Sequence, residues 1–216
     1  MRGRFITLEG GEGTGKTTQA ALLAENLEKS GVPVLLLRSP GGTIVAEQLR
    51  TILKTKTPGE NLLPETELLL FGACHSQMCE YAVKPALEAG KWVICDRFFD
   101  STTVYQGYVR GLSLEIVEQI NQFACRTIVP DMTILLDIDP ETGVRRACGR
   151  NGGVIDENDR FDSEGMAFHR AIRESFLKRA ELFPDRFRVL SAAGSVEEIS
   201  VEIKKAVSNE FGLGII

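Results

Sequence analysis

Residues 10–19 read GGEGTGKTTQ. They contain Gly-x-x-x-x-Gly-Lys-Thr, from Gly10 to Thr17, a pattern in which glycines let successive backbone N–H groups turn toward one anion. The apolar run RFITLE (4–9) leads directly into the loop, and Ala20, Leu23, Ala24 and Leu27 follow it at helical spacing, with Gly31 as a stop. A strand, a glycine loop and a helix in that order make a phosphate site. Gly10, Gly11, Glu12, Gly13, Thr14, Gly15, Lys16, Thr17 and Thr18 are therefore expected to cradle the phosphates of a nucleoside triphosphate. Lys16 reaches the β- and γ-phosphoryl oxygens, and the Thr17 hydroxyl binds Mg²⁺. Glu12 is the anomaly. At roughly 6 Å from one phosphate charge, with an effective dielectric of about 20, its carboxylate would be repelled by about 3 kcal/mol.

Outward from this loop, short apolar runs recur as PVLLLR (33–38), KWVICD (91–96), MTILLDID (132–139) and RFRVLS (186–191). Continuous runs of this kind suit strands buried on both faces of a parallel sheet. Helical patterns alternate with them. A long one over 64–90 is expected to bend near Pro85, and another follows Ser195, which is spaced from Glu198 as a capping box. The expected fold is α/β, a five-stranded parallel sheet flanked by helices on both faces. Ligands on such sheets collect beyond the carboxyl ends of the strands.

With 216 residues and no linker, charge run or internal repeat, the chain is expected to form one domain. Its net charge of −5 leaves no basic stripe for a nucleic-acid polymer. The five cysteines are scattered, without a C-x-x-C pair, and there are only two histidines; reduced thiols in a cytoplasmic protein are expected. The glycine loop begins within ten residues of Met1, which argues against a signal peptide, and no apolar run has membrane-spanning length.

After the third strand comes DRFFDSTTVYQG (96–107). Asp96 can bind Mg²⁺ or its waters, and Arg97 has a planar fork matched to phosphate. After the second strand, RSPGGTIVAEQLR (38–50) supplies a glycine turn, a helix start and Arg50. Arg50 and Arg97 thus offer a second anion site, distinct from the glycine loop. On the residues alone, a kinase for some nucleotide and an NTP-binding switch or assembly ATPase both stay open, although a switch has no need of the second site.

The segments LEGGEGTGKTTQ, RSPGGTIVAEQLR, ELLLFGACHSQ, DRFFDSTTVYQG, PDMTILLDIDPETG and RFDSEGMAFHRAIRESFL together resemble the bacterial thymidylate kinases over nearly the whole chain. The resemblance implies the P-loop nucleoside monophosphate kinase fold with a mobile lid, a homodimer, and transfer of the γ-phosphoryl group of ATP to dTMP with Mg²⁺. It implies that Phe71 stacks on thymine with His75 at the base edge, and that Arg50 and Arg97 grip the acceptor phosphate. Ser101, Tyr105 and Gln106 would line the base and sugar pocket. Glu12 would turn away from the triphosphate toward the acceptor sugar.

Two positions depart from the family pattern. Ser39 stands where a Glu is common, and His75 where an Arg is common. A neutral imidazole donates one hydrogen bond where guanidinium offers several, so base binding is expected to be weaker or pH-sensitive. Between the fourth strand and the next long helix, a glycine-rich segment over about 145–161 carries Arg145, Arg146, Arg150 and Arg160. It is expected to form a lid, with Arg150 and Arg160 meeting charge on the transferring group.

Overall fold

The computed structural model describes residues 2–150, except the Arg150 side chain, and 164–214. Among these, five strands form one fully parallel sheet in the order β2-β3-β1-β4-β5. They are β1 (Phe5–Glu9), β2 (Val34–Arg38), β3 (Trp92–Asp96), β4 (Met132–Asp137) and β5 (Phe187–Ser191). Strand β1, all five of whose residues are buried, occupies the centre; β2 and β5 lie at the edges and are half-exposed, so burial on both faces belongs to the central strands alone.

Alternation along β1 sends Ile6 and Leu8 to one face, where they meet Leu23 and Leu27 of α1 (Lys16–Lys29) and Ile199 and Ile203 of α9 (Val196–Phe211). The opposite face of the sheet, bearing Phe5, Val93 and Cys95, packs on Met78, Leu87, Phe98 and Phe99. The chain reaches this layer through α2 (Ile44–Lys54), α3 (Pro64–Met78), α4 (Lys84–Glu88), α5 (Phe99–Thr102) and α6 (Leu114–Cys125). The expected bend near Pro85 is a π-helical turn over Cys79–Val83, between α3 and α4. Proline has no N–H and crowds the carbonyl four residues back, and a wider turn accommodates both. The helix α6 was not anticipated, although Val117, Asn121 and Ala124 line its buried side.

Two further helices, α7 (Pro140–Arg150) and α8 (Met166–Leu182), follow β4. Asp139 opens α7 by accepting the Thr142 N–H at 2.9 Å. The first residues of the expected lid segment thus belong to α7, and residues 151–163 lie outside the described residues. The capping box at Ser195 forms as expected, with both reciprocal bonds present. No helix among the described residues is long and apolar enough to cross a membrane.

Candidate active site

The carboxyl ends of β1, β2 and β3 open into a cavity of about 600 Å³. Glu12, Gly13, Gly15, Lys16 and Thr17 line one part of it; Ser39, Arg50, Phe71, His75, Arg97, Ser101, Tyr105 and Gln106 line the rest. The sheet order explains the meeting: β3 lies between β1 and β2, so the loops after these strands are neighbours. Gly10, Gly11, Thr14 and Thr18 do not line this cavity, whereas Gly11, Glu12 and Thr14 border a smaller cleft beside α7.

The glycine loop enters α1 through Gly15, whose φ of 87° lies in the left-handed region. Helix α1 has no side-chain cap and no acidic residue in its first turn, so its leading N–H groups and positive dipole end face the cavity. Lys16 is buried, donating to the Gly11 carbonyl at 2.6 Å and the Thr14 hydroxyl at 3.2 Å. Burial, reinforced by the Arg97 charge, lowers its pKa to about 8. Thr17 donates its hydroxyl to Asp96 at 2.5 Å, which brings the two expected Mg²⁺ ligands together.

Glu47 builds the loop after β2. Its carboxylate accepts the Gly42 N–H at 2.9 Å and the Arg38 guanidinium at 3.0 Å, and the first of these bonds is the main reason its pKa lies below the ordinary carboxylate range. The Arg50 side chain crosses back from α2 to the Pro40 carbonyl at 2.7 Å. The two departures from the family pattern meet here, with Ser39 Oγ and His75 Nε2 3.0 Å apart in a buried hydrogen bond. Burial lowers the His75 pKa to about 4, so the ring is neutral at physiological pH. Among the described residues, His75 Nδ1 is buried without a hydrogen-bond partner.

Arg97 has a left-handed backbone, φ 68°, which is uncommon for a non-glycine residue. Its Nη1 donates to Ser101 Oγ at 3.0 Å and to the Gly10 carbonyl at 3.1 Å, and its guanidinium lies over the Tyr105 ring at 5.4 Å. Next to Ser101, the buried Asp100 receives Arg186 at 2.6 and 2.9 Å and is also paired with Arg179. Burial alone would raise the Asp100 pKa, but these two arginines hold it low. This network fixes α5 to α8 and to the residue just before β5. Gln106 is fully buried and donates to Glu67 at 3.1 Å.

Glu9 was missed in the sequence. It ends β1 with no exposed surface, accepting the Phe98 N–H at 2.8 Å and the Ser101 hydroxyl at 2.6 Å. Burial, with Asp100 nearby, raises its pKa to about 7. On the far side, Arg146 donates to the Ala192 and Ala193 carbonyls at 2.6 and 3.1 Å, which ties α7 to the segment after β5. The Arg150 side chain and Arg160 lie outside the described residues.

The cavity thus has the glycine loop and Lys16 on one side and, on the other, Arg50 and Arg97 together with the Phe71 and Tyr105 rings. That is the arrangement of a P-loop kinase that phosphorylates nucleoside monophosphates. The family pattern described as thymidylate kinase matches residues 8–203. Thymidylate kinases of Caldanaerobacter subterraneus subsp. tengcongensis and Syntrophotalea carbinolica are each 43% identical to this chain, over 96% and 97% of its length and the same shares of their own. The crystal structure of thymidylate kinase from Ehrlichia chaffeensis superposes with a TM-score of 0.76 at 33% identity, covering 96% of this chain and 99% of that one. The chain belongs to the thymidylate kinase family. Its reaction is the ATP-dependent phosphorylation of dTMP to dTDP.

Proposed function

We propose that the cavity carries out this transfer by holding ATP in the glycine loop and dTMP between Arg50, Arg97, Phe71 and Tyr105. The observation that carries the proposal is the presence of Lys16 and both acceptor arginines on the wall of one cavity. Phosphoryl transfer asks little covalent chemistry of the protein; alignment of the two phosphates and neutralisation of their charge supply most of the rate. Arg97, fixed by Ser101 and Gly10, and Arg50, fixed by Pro40, present donors to the acceptor phosphate. Phe71 offers a stacking face, and Ser101, Tyr105 and Gln106 close the nucleoside pocket. Arg150 and Arg160 supply further positive charge to the transferring group.

The neighbouring Thr17 hydroxyl and Asp96 carboxylate are hard oxygen donors, and they suit Mg²⁺, which takes its remaining ligands from water and phosphates. Bound there, the ion would neutralise phosphate charge. We read the protein as a cytoplasmic homodimer. Its five cysteines are free, and Ile116 and Phe123, seven residues apart on α6, are exposed by 52% and 87%.

Coupled ADP release with dTMP, dUMP, dCMP, dGMP, UMP and AMP as separate acceptors tests this assignment. ADP formed at one rate regardless of acceptor would overturn it. Glu12 lines the same cavity as Arg97 and Tyr105, where its carboxylate can accept a hydrogen bond from the sugar 3′-OH. Glu12→Gln is expected to raise the KM for dTMP about tenfold, with the KM for ATP nearly unchanged; a selective loss of ATP affinity would contradict this role.

The Ser39–His75 hydrogen bond acts as one neutral unit at the thymine edge. Glu at position 39 alone sets a buried carboxylate against a neutral ring, and Arg at position 75 alone buries an unpaired charge. Ser39→Glu and His75→Arg are each expected to raise the KM for dTMP more than about tenfold, and the double variant to return to within severalfold of the parent. Additive losses in this cycle would show that the two positions act independently.

A further inference from the structure

We infer that Glu9 is the positioning residue of the acceptor-phosphate site, holding Arg97 and Ser101 in place from beneath the glycine loop. The inference rests on the reading of Arg97 as a ligand of the acceptor phosphate. Glu9 does not line the cavity, so its effect on dTMP passes through these two residues.

The backbone at Arg97 shows why a support is needed. A left-handed conformation is unfavourable for a residue with a Cβ, and it persists only where the surroundings over-determine it. Here the chain is pinned on both sides of the strained residue: the Arg97 N–H donates to the Leu8 carbonyl at 3.0 Å, and the Phe98 N–H donates to Glu9 Oε1 at 2.8 Å. Both acceptors belong to β1. The second Glu9 oxygen receives the Ser101 hydroxyl proton at 2.6 Å, and this leaves the Ser101 lone pairs turned to the Arg97 guanidinium at 3.0 Å. Ser101 therefore relays order from carboxylate to guanidinium.

Strand alternation places Glu9 on the sheet face covered by Phe98 and Phe99, with no path to water. A carboxylate is costly to bury there, and a leucine or valine in its place would continue the apolar run of β1. What the carboxylate adds is two acceptor oxygens at the spacing of one amide and one hydroxyl.

Three variants separate positioning from charge and from bulk. In Glu9→Asp the charge remains but is one methylene too short to reach both donors. In Glu9→Gln the reach and the acceptor for Phe98 remain. Glu9→Ala removes both. Glu9→Asp and Glu9→Ala are expected to raise the KM for dTMP about 30-fold while the KM for ATP stays within about twofold. Glu9→Gln, which keeps the acceptor for Phe98 but turns an NH2 donor instead of an acceptor toward Ser101, is expected to recover only part of that loss. Equal movement of both KM values, or an unchanged KM for dTMP in Glu9→Asp, would overturn the inference. If Glu9→Ala fails to fold, the Asp and Gln variants decide it by the same comparison. Arg97→Ala serves as the reference, expected to lose about a hundredfold in kcat/KM for dTMP. An unchanged Arg97→Ala would sink the reading of Arg97 itself, whereas a damaged Arg97→Ala beside an intact Glu9→Asp would sink only the role of Glu9.

Discussion

Lys16→Ala is expected to lower kcat about a thousandfold, the upper end of what one positioned donor to developing negative charge contributes. The ammonium is set at the mouth of the loop by a 2.6 Å bond to the Gly11 carbonyl, so the side chain is ordered by the loop that binds the phosphates. It is buried, and a charge acts more strongly there than in water. The same burial gives a pH signature. In the free enzyme Lys16 loses its proton near pH 8, and the polyanion of ATP favours the charged form. The sign is therefore a fall: kcat/KM for ATP should decline about tenfold per pH unit above about pH 8, with a plateau below. Lys16→Arg keeps its charge throughout this range and should remove that decline even if its absolute rate is low. A parent profile flat to pH 9.5, or a Lys16→Ala variant within tenfold of the parent, would exclude this role for the ammonium.

The positions legible in the sequence were those whose chemistry is local. Continuous apolar runs gave all five strands within a few residues, and the glycine loop needed only the strand before it and the helix after it. Ser195 and Glu198 satisfy each other three residues apart, so their cap could be read directly. Glu9 could not. At the end of RFITLE it looks like a solvated strand terminus, and its burial depends on Phe98 and Ser101, about ninety residues away. His75 and Ser39 stood out singly as departures, but their pairing is a tertiary fact across 36 residues. The two π-helical turns, Cys79–Val83 and Thr103–Val109, carry no sequence period of their own; packing against neighbouring elements sets them. The helix over Pro140–Arg150 holds two glycines, Gly143 and Gly149, which are poor helix formers. The reason Gly143 stands inside it lies in the glycine loop.

Gly13→Ala is expected to cost several hundredfold in kcat/KM for both substrates, through misplacement of the loop by about 1 Å or more. Gly13 has φ 68°, and a Cβ built there would stand 1.8 Å from the Gly143 carbonyl oxygen. Conversely, a Cβ on Gly143 would stand 2.4 Å from the Glu12 carbonyl oxygen. Two backbones touch here without side chains between them, and the contact joins the phosphate loop to the first turns of α7. An alanine at position 13 pays the left-handed penalty of about 1–2 kcal/mol and also pushes α7 away, since the atom it meets is backbone and cannot rotate aside. Gly143→Ala separates the two costs. Its backbone is helical, where alanine is favoured over glycine by about 1 kcal/mol, so any damage comes from the contact alone. Gly143→Ala should therefore be impaired in the same direction as Gly13→Ala but less, with both KM values raised. Normal kinetics in Gly143→Ala would show that the contact between α7 and the loop is incidental, leaving backbone strain as the whole effect at Gly13.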